Sequence, residues 1–333
     1  MVVGAGLALL VFLSLRLAAA QAAAPAAFLP LIFKPQAQGT NTFLPVIVKA
    51  PTPTPTGTPL PVTPPAAGDW QIVLSYYRAS ARLPALTENA GWSAGAVNHA
   101  QYMVKNDVLA SSEDISNTWY SPAGATEAAN SNLMLSDNVT VTDRQALDFW
   151  MSKPFHALGL LDPALLSTGF GSYREDDGPF DPYRMGAAAD VRQGIGSIPG
   201  AVSFPIEWPS HNSTVTLTSY DGNEQPDPLT SCPGYSAPSG LPILLQVGPG
   251  GSSFVVGAHT IEQGNISLPH CAFTSNSYMN GLDPALQTLG RQILAASDAV
   301  VLIPQAPLTA GSSYTVSIVI NGQPLVWTFF VAP

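Results

Sequence analysis

Apolar residues follow one rhythm from Asp69 to about Tyr173 and another beyond it. In the first stretch they recur at helical spacing. WQIVLSYYRASARL carries Ile72, Leu74, Tyr76, Tyr77 and Leu83 in a mixed pattern that predicts a helix ending before Pro84. WSAGAVNHAQYMVKNDVL predicts a second helix, with Trp92, Ala96, His99, Ala100 and Met103 on one face. DRQALDFWMSK predicts a third, with Ala146, Leu147, Trp150 and Met151 inward and Pro154 ending it. After Tyr173 the runs are short and bounded by Gly, Pro, Asn and Asp: VSFPIEW, TVTLTSY, LPILLQVG, FVVGAHTI, AVVLIP, YTVSIVI and PLVWTFFV. This density of strand candidates points to an antiparallel sandwich. The last two, joined through Asn321-Gly322, read as a hairpin.

Composition changes this picture at the N-terminus. Hydrophobic residues make up 46% of 333 and charged residues 10%, with 32 prolines and 28 glycines, a balance that suits a loop-rich exported protein. Gly6 to Leu15 is an apolar run of signal-peptide length followed by small residues around Ala20 to Ala24, although no basic residue precedes it. Residues 1–24 are therefore expected to be a signal peptide. Residues 25–68 are expected to be a Pro/Thr-rich linker containing the repeat FLPLIFK and FLPVIVK, because proline locks φ and favours an extended spacer. The net charge of −10 argues against a nucleic-acid partner, whose phosphates demand clustered cations.

Candidate chemistry is sparse. Cys232 and Cys271 lack CxxC spacing and either pair in an oxidising compartment or stand as two buried thiols. A bridge between them would close a loop of about 40 residues and contribute roughly 3 to 4 kcal/mol. The chain has no GxSxG elbow, HExxH or SxxK, and Ser111-Ser112-Glu113 has no base placed beside it by sequence. The acidic run Arg174 to Asp181 lacks calcium-loop spacing and reads as a solvated loop. His99 shares a helical face with Ala96 and Met103 and reads as a buried histidine bonded to a backbone carbonyl.

YYRASARLPALTENAGWSAGAVNHAQYM, together with FWMSKPFHALGLLDPALLSTGFGSY, resembles the bacterial branch of the CAP superfamily: the cysteine-rich secretory, antigen 5 and pathogenesis-related-1 proteins, or SCP-like extracellular domains. Trp150, Pro154, His156, Pro163, Gly169 and Gly171 stand in the family's order, and Tyr77-Arg78 stands where many members have Tyr-Arg. The resemblance spans Asp69 to about Asp190. It implies a CAP-type α/β/α sandwich over residues 69–190; the strand runs beyond it fall outside this resemblance and resemble a generic immunoglobulin-like antiparallel β-sandwich module over 191–333, so the expected fold class is α+β. The CAP resemblance also implies a cleft in which two histidines and two acidic residues can hold a divalent metal such as zinc. Carried over, His156 matches one cleft histidine, whereas Ser111 or Ser112 stands in place of the other. Glu113 offers a neighbouring carboxylate, and the family's Gly-Glu-Asn step falls either on Glu127 or on Ser131-Asn132-Leu133, where no glutamate remains. His156, Glu113 and Glu127 are thus the catalytic candidates, and His156 with Glu127 the metal candidates. The expected function is that of a secreted or cell-surface binding protein with a degenerate metal site. Its partner would be an extracellular protein, a glycan or a small apolar ligand, with association with the cell envelope open. The alternatives are a metal-dependent envelope hydrolase using the CAP cleft and a structural surface module.

Overall fold

The computed structural model describes residues 69–176, 178 and 182–333. The signal peptide and linker expected over 1–24 and 25–68, and part of the acidic run ending at Asp181, lie outside the described residues.

Six α-helices are described, α1 (Trp70–Ala79), α2 (Ala90–Lys105), α3 (Pro122–Ala128), α4 (Asp143–Met151), α5 (Pro154–Leu160) and α6 (Pro284–Ala296), with one short 3-10 helix at Pro228–Ser231. Most of them begin on a sequence signal. Asp69, Asn89, Ser121 and Thr142 each accept first-turn backbone N–H groups, and Thr142 forms a reciprocal capping box with Gln145. The first helix is shorter than its pattern predicts, ending at Ala79, and Ile72 is exposed while Val73 is buried. The third ends as expected near Met151, but Pro154 also opens α5, since proline at the first helical position loses no hydrogen bond.

Strands before residue 191 are β1 (Thr87–Glu88), β2 (Ser131–Ser136), β3 (Ser167–Thr168), β4 (Phe170–Arg174) and β5 (Met185–Asp190). β2, β5 and β4 form an antiparallel sheet in that order. Its pleat sorts side chains onto two helical layers. Leu133, Leu135 and Ala188 pack with Ala96, Met103 and Val104 of α2, while Met134, Ala187, Ala189 and Phe170 pack with α1, α4 and α5. On the α2 face the approach is close. A Cβ on Gly171 would lie 2.2 Å from the Val97 backbone nitrogen, and one on Gly169 would lie 2.5 Å from that of Ser93.

The later strands are β6 (Ile206–Trp208), β7 (Thr214–Val215), β8 (Ser219–Tyr220), β9 (Ser239–Gly240), β10 (Ile243–Gln246), β11 (Val256–Gln263), β12 (Ile266–Ser267), β13 (His270–Thr274), β14 (Ala299–Pro304), β15 (Ser313–Ile320) and β16 (Gln323–Val331). One sheet runs β13-β14-β10-β6 and another β12-β11-β15-β16-β7. Their pairings are antiparallel apart from β7, which joins β16 in parallel. β15 alternates buried and half-exposed positions, as a sheet covered on one face should. β14 is buried at every position, so that sheet is covered on both faces. The β15–β16 hairpin closes through Asn321 and Gly322, both at positive φ, as its sequence predicts. Helix α6 interrupts the strands and departs from the all-strand expectation for this region.

The two halves share one apolar core, which runs from Val73 and Trp150 through Trp208 and Leu245 to Trp327 and Phe329. Polar contacts stitch the same seam: Tyr76 Oη donates to the Thr214 carbonyl at 2.8 Å, Trp208 Nε1 to Ser80 Oγ at 3.0 Å and Gln246 Nε2 to the Leu161 carbonyl at 3.0 Å. Cys232 and Cys271 are joined by a disulfide that ties the loop before β9 to β13.

Candidate functional site

His156 is fully buried in the first turn of α5. That turn exposes backbone N–H groups that the helix cannot satisfy, and Lys153 at its N-cap provides no side-chain acceptor. The missing acceptor comes from Glu224, 68 residues away in the chain. Its Oε1 accepts from the backbone nitrogens of Phe155 at 2.9 Å and His156 at 3.0 Å, and lies 2.8 Å from His156 Nδ1. A carboxylate at this end also meets the favourable pole of the helix dipole. With an ionised carboxylate as partner, His156 Nδ1 carries the hydrogen and donates it. Among the described residues, His156 Nε2 and Glu224 Oε2 are buried with no hydrogen-bond partner.

Lys153 and Asp221 extend this contact. Lys153 is buried, its ammonium 3.9 Å from the Phe149 ring centroid and hydrogen-bonded to Asp221. Burial pulls the Lys153 pKa down, against the opposing pull of Asp221 and, more weakly, Glu224. Segment 221–224 therefore fastens onto the α4–α5 corner at two points.

The other candidates stand on the opposite side of the sheet. Consecutive residues of a strand point to opposite faces, and Ser131 and Asn132 open β2. Asn132 Nδ2 donates to the His156 carbonyl at 3.0 Å, whereas Ser131 Oγ donates to Glu127 Oε2 at 3.2 Å. His156 and Glu127 are thus separated by the strand itself, and the pairing of these two as metal ligands is not assembled. Glu127 instead accepts from Gln193 Nε2 at 2.7 Å, and the same amide reaches Asp190. Burial, then the nearby Asp190 carboxylate, pushes the Glu127 pKa up to about 7, against the hydrogen bonds from Gln193 and Ser131.

Glu113 lies on the α2 side too, but its partner is His99: Oε1 is 2.9 Å from His99 Nδ1, and Oε2 accepts from the Ser121 backbone nitrogen at 2.9 Å. His99 Nε2 is 2.8 Å from the Ala110 carbonyl, the type of contact its helical face predicts. Both ring nitrogens face acceptors, so ring and carboxylate hold two hydrogens between them and are neutral as a unit. Burial pulls the His99 pKa down, against the pull of Glu113 and the Ala110 carbonyl. A Cβ on Gly124 would lie 2.4 Å from Glu113 Oε1, so α3 closes directly over the pair. No partner bond ties Ser111 or Ser112 into this arrangement among the described contacts.

A tetrahedral zinc site requires three or four N, O or S donors converging on one point. Among the described residues no three His, Cys, Asp or Glu side chains come together to hold a metal ion. Glu113 and both nitrogens of His99 are already engaged, and Glu127 faces Asp190. The residues present therefore do not fit the zinc set implied by the resemblance. Glu224, Asp221, Asp190 and Gln193 were not legible as site residues, because each lies far in sequence from the motif it completes. Only the unsatisfied N-terminus of α5, a proline-led helix without a Ser, Thr, Asp or Asn cap, signalled in advance that an acceptor must come from elsewhere.

Residues 73–185 match the model of the cysteine-rich secretory protein family, CAP. Searches of curated proteins and of solved structures each return no match. The chain thus carries a CAP domain that encompasses His99, Glu113, Glu127 and His156, while Glu224 lies outside the matched residues.

Proposed function

Residues 73–185 being a CAP domain, we propose that the chain is a secreted or cell-surface binding protein in which that domain recognises its partner without performing hydrolysis. The observation that carries this reading is the complete burial of His156, whose ring is held inside the fold by the Glu224 Oε1 contact with Nδ1. A histidine serving as ligand or general base needs access to substrate, and this ring is fully buried, its Nε2 included. The partner class is an extracellular protein, a glycan or a small apolar ligand. Segment 191–333, of immunoglobulin-like type in this reading, supplies a second surface and the carboxylate that locks the first unit, 69–190. Export is supported by the disulfide, which suits an oxidising compartment. No helix among the described residues is long and apolar enough to cross a membrane.

Assay of the purified chain on peptide and ester substrates tests the reading. We expect no turnover above buffer. Hydrolysis lost in a folded His156→Ala variant would overturn it in favour of the envelope hydrolase.

A further inference from the structure

Three of the five histidines lie outside the CAP domain, and two of these meet each other. His259 is on β11 of one sheet and His270 on β13 of the other, and His259 Nδ1 lies 2.8 Å from His270 Nε2. We propose that this pair is a two-imidazole site for a divalent transition metal that favours square-planar coordination, Cu(II) above all.

The tautomer of His270 is set by its second nitrogen. Nδ1 sits 2.8 Å from the Leu268 carbonyl, which can only accept, so Nδ1 carries the hydrogen and Nε2 presents a lone pair. A backbone carbonyl holding the remote ring nitrogen is the arrangement that orients metal-binding imidazoles. In the metal-free pair His259 Nδ1 donates to that lone pair. For His259 to bind, its hydrogen moves through solvent from Nδ1 to Nε2, so the ring stays neutral and no net proton is released. Its strand is irregular at this point, with the register against β15 shifting between Val256 and His259, a bulge of the kind that re-aims a side chain. On the other strand, Cys271 anchors β13 next to His270 through the disulfide.

The 2.8 Å between the ring nitrogens is the length of the hydrogen bond that joins them, so the choice of metal rests on the donors. Copper heads the affinity order for nitrogen donors. Both rings are half-buried, so water or a small ligand can fill the remaining positions. No third His, Cys, Asp or Glu completes a group among the described residues, which makes the ion exchangeable.

The other histidines provide the controls. His99 and His156 are buried against carboxylates, and His211 is exposed, its Nδ1 accepting from the Thr328 backbone nitrogen at 3.2 Å. The full chain is titrated with Cu(II) and followed by calorimetry and electron paramagnetic resonance. The proposal predicts one equivalent bound, a tetragonal signal coupled to two nitrogens, and at least tenfold weaker binding in His259→Gln and in His270→Gln, with His211→Gln unchanged. Equal affinity in the wild type and the doubly substituted His259→Gln/His270→Gln chain would overturn it, as would loss of the site in His211→Gln. Should the variants fail to fold, substoichiometric Cu(II) added to the labelled wild type gives the answer. Paramagnetic broadening must strike the ring signals of His259 and His270 first, and broadening that begins at His211 refutes the site.

Discussion

One oxygen of Glu224 serves three donors, so the substitutions at this position separate charge from hydrogen bonding. Glu224→Ala leaves two backbone N–H groups and an imidazole buried without an acceptor, and should cost about 3–5 kcal/mol in urea unfolding. Glu224→Gln retains an acceptor and loses only the charge, with an expected cost of about 1–2 kcal/mol. Equal stability of Ala variant and wild type would remove Glu224 from its capping role. Glu127 makes the opposite case. Its pKa is raised to about 7 in the folded protein, so the fold binds this proton more tightly than the unfolded chain does. The ionised carboxylate therefore destabilises the fold above pH 7, and that cost disappears as pH falls from 7 towards the ordinary glutamate value of about 4.5. Glu127→Gln should then stabilise by about 1–3 kcal/mol at pH 8 and by well under about 1 kcal/mol at pH 5, a difference that thermal unfolding at the two pH values measures.

At the scale of elements, α2 and the three-stranded sheet meet without room for a side chain at Gly171. Gly171→Ala would place a methyl group against the Val97 backbone nitrogen, and should cost about 3 kcal/mol or more by urea unfolding. A cost below about 1 kcal/mol would mean that helix and sheet separate easily. The helix faces were legible in the sequence where periodicity alone sets them: Ala146, Leu147, Trp150 and Met151 are all buried, as are Ala96, His99, Ala100 and Met103. The β15–β16 hairpin was legible for a local reason too, because Asn-Gly dictates its turn. Helix α6 was overlooked although Asp283 caps it and Pro284 opens it; its buried Leu289, Ile293 and Leu294 sit in a stretch otherwise framed by strands. The partners of His156 and Glu127 could not be read at all, because Glu224 and Gln193 reach them across tertiary contacts of 68 and 66 residues. No local pattern encodes such a pairing. His99 is the intermediate case: its burial and its carbonyl partner followed from its helical face, but its carboxylate, Glu113, arrives from a loop.

Across the whole molecule, the division of the sequence near residue 190 does not divide the core, which continues through Trp208 and the later sheets. A fragment of residues 69–190 loses the Glu224 cap, the Lys153 partner and the apolar cover of α1 and α5. It should show no cooperative thermal transition, whereas residues 69–333 should unfold in one. A fragment that melts cooperatively would show that the first unit is stable alone. The disulfide acts on this larger fold: Cys232→Ser with Cys271→Ser should lower stability by about 3 to 4 kcal/mol.

The central claim is that His156, buried with its Nδ1 held by Glu224, and His99, with both ring nitrogens engaged, are unavailable to a metal. Nitrogen-15 spectra of the imidazole rings, recorded while the full chain is titrated with zinc, test it most directly. The account predicts that the ring signals of both residues stay in place through one equivalent, with a hydrogen on His156 Nδ1. Coordinated movement of the His156 and His99 signals, saturating at one zinc per chain, would contradict it.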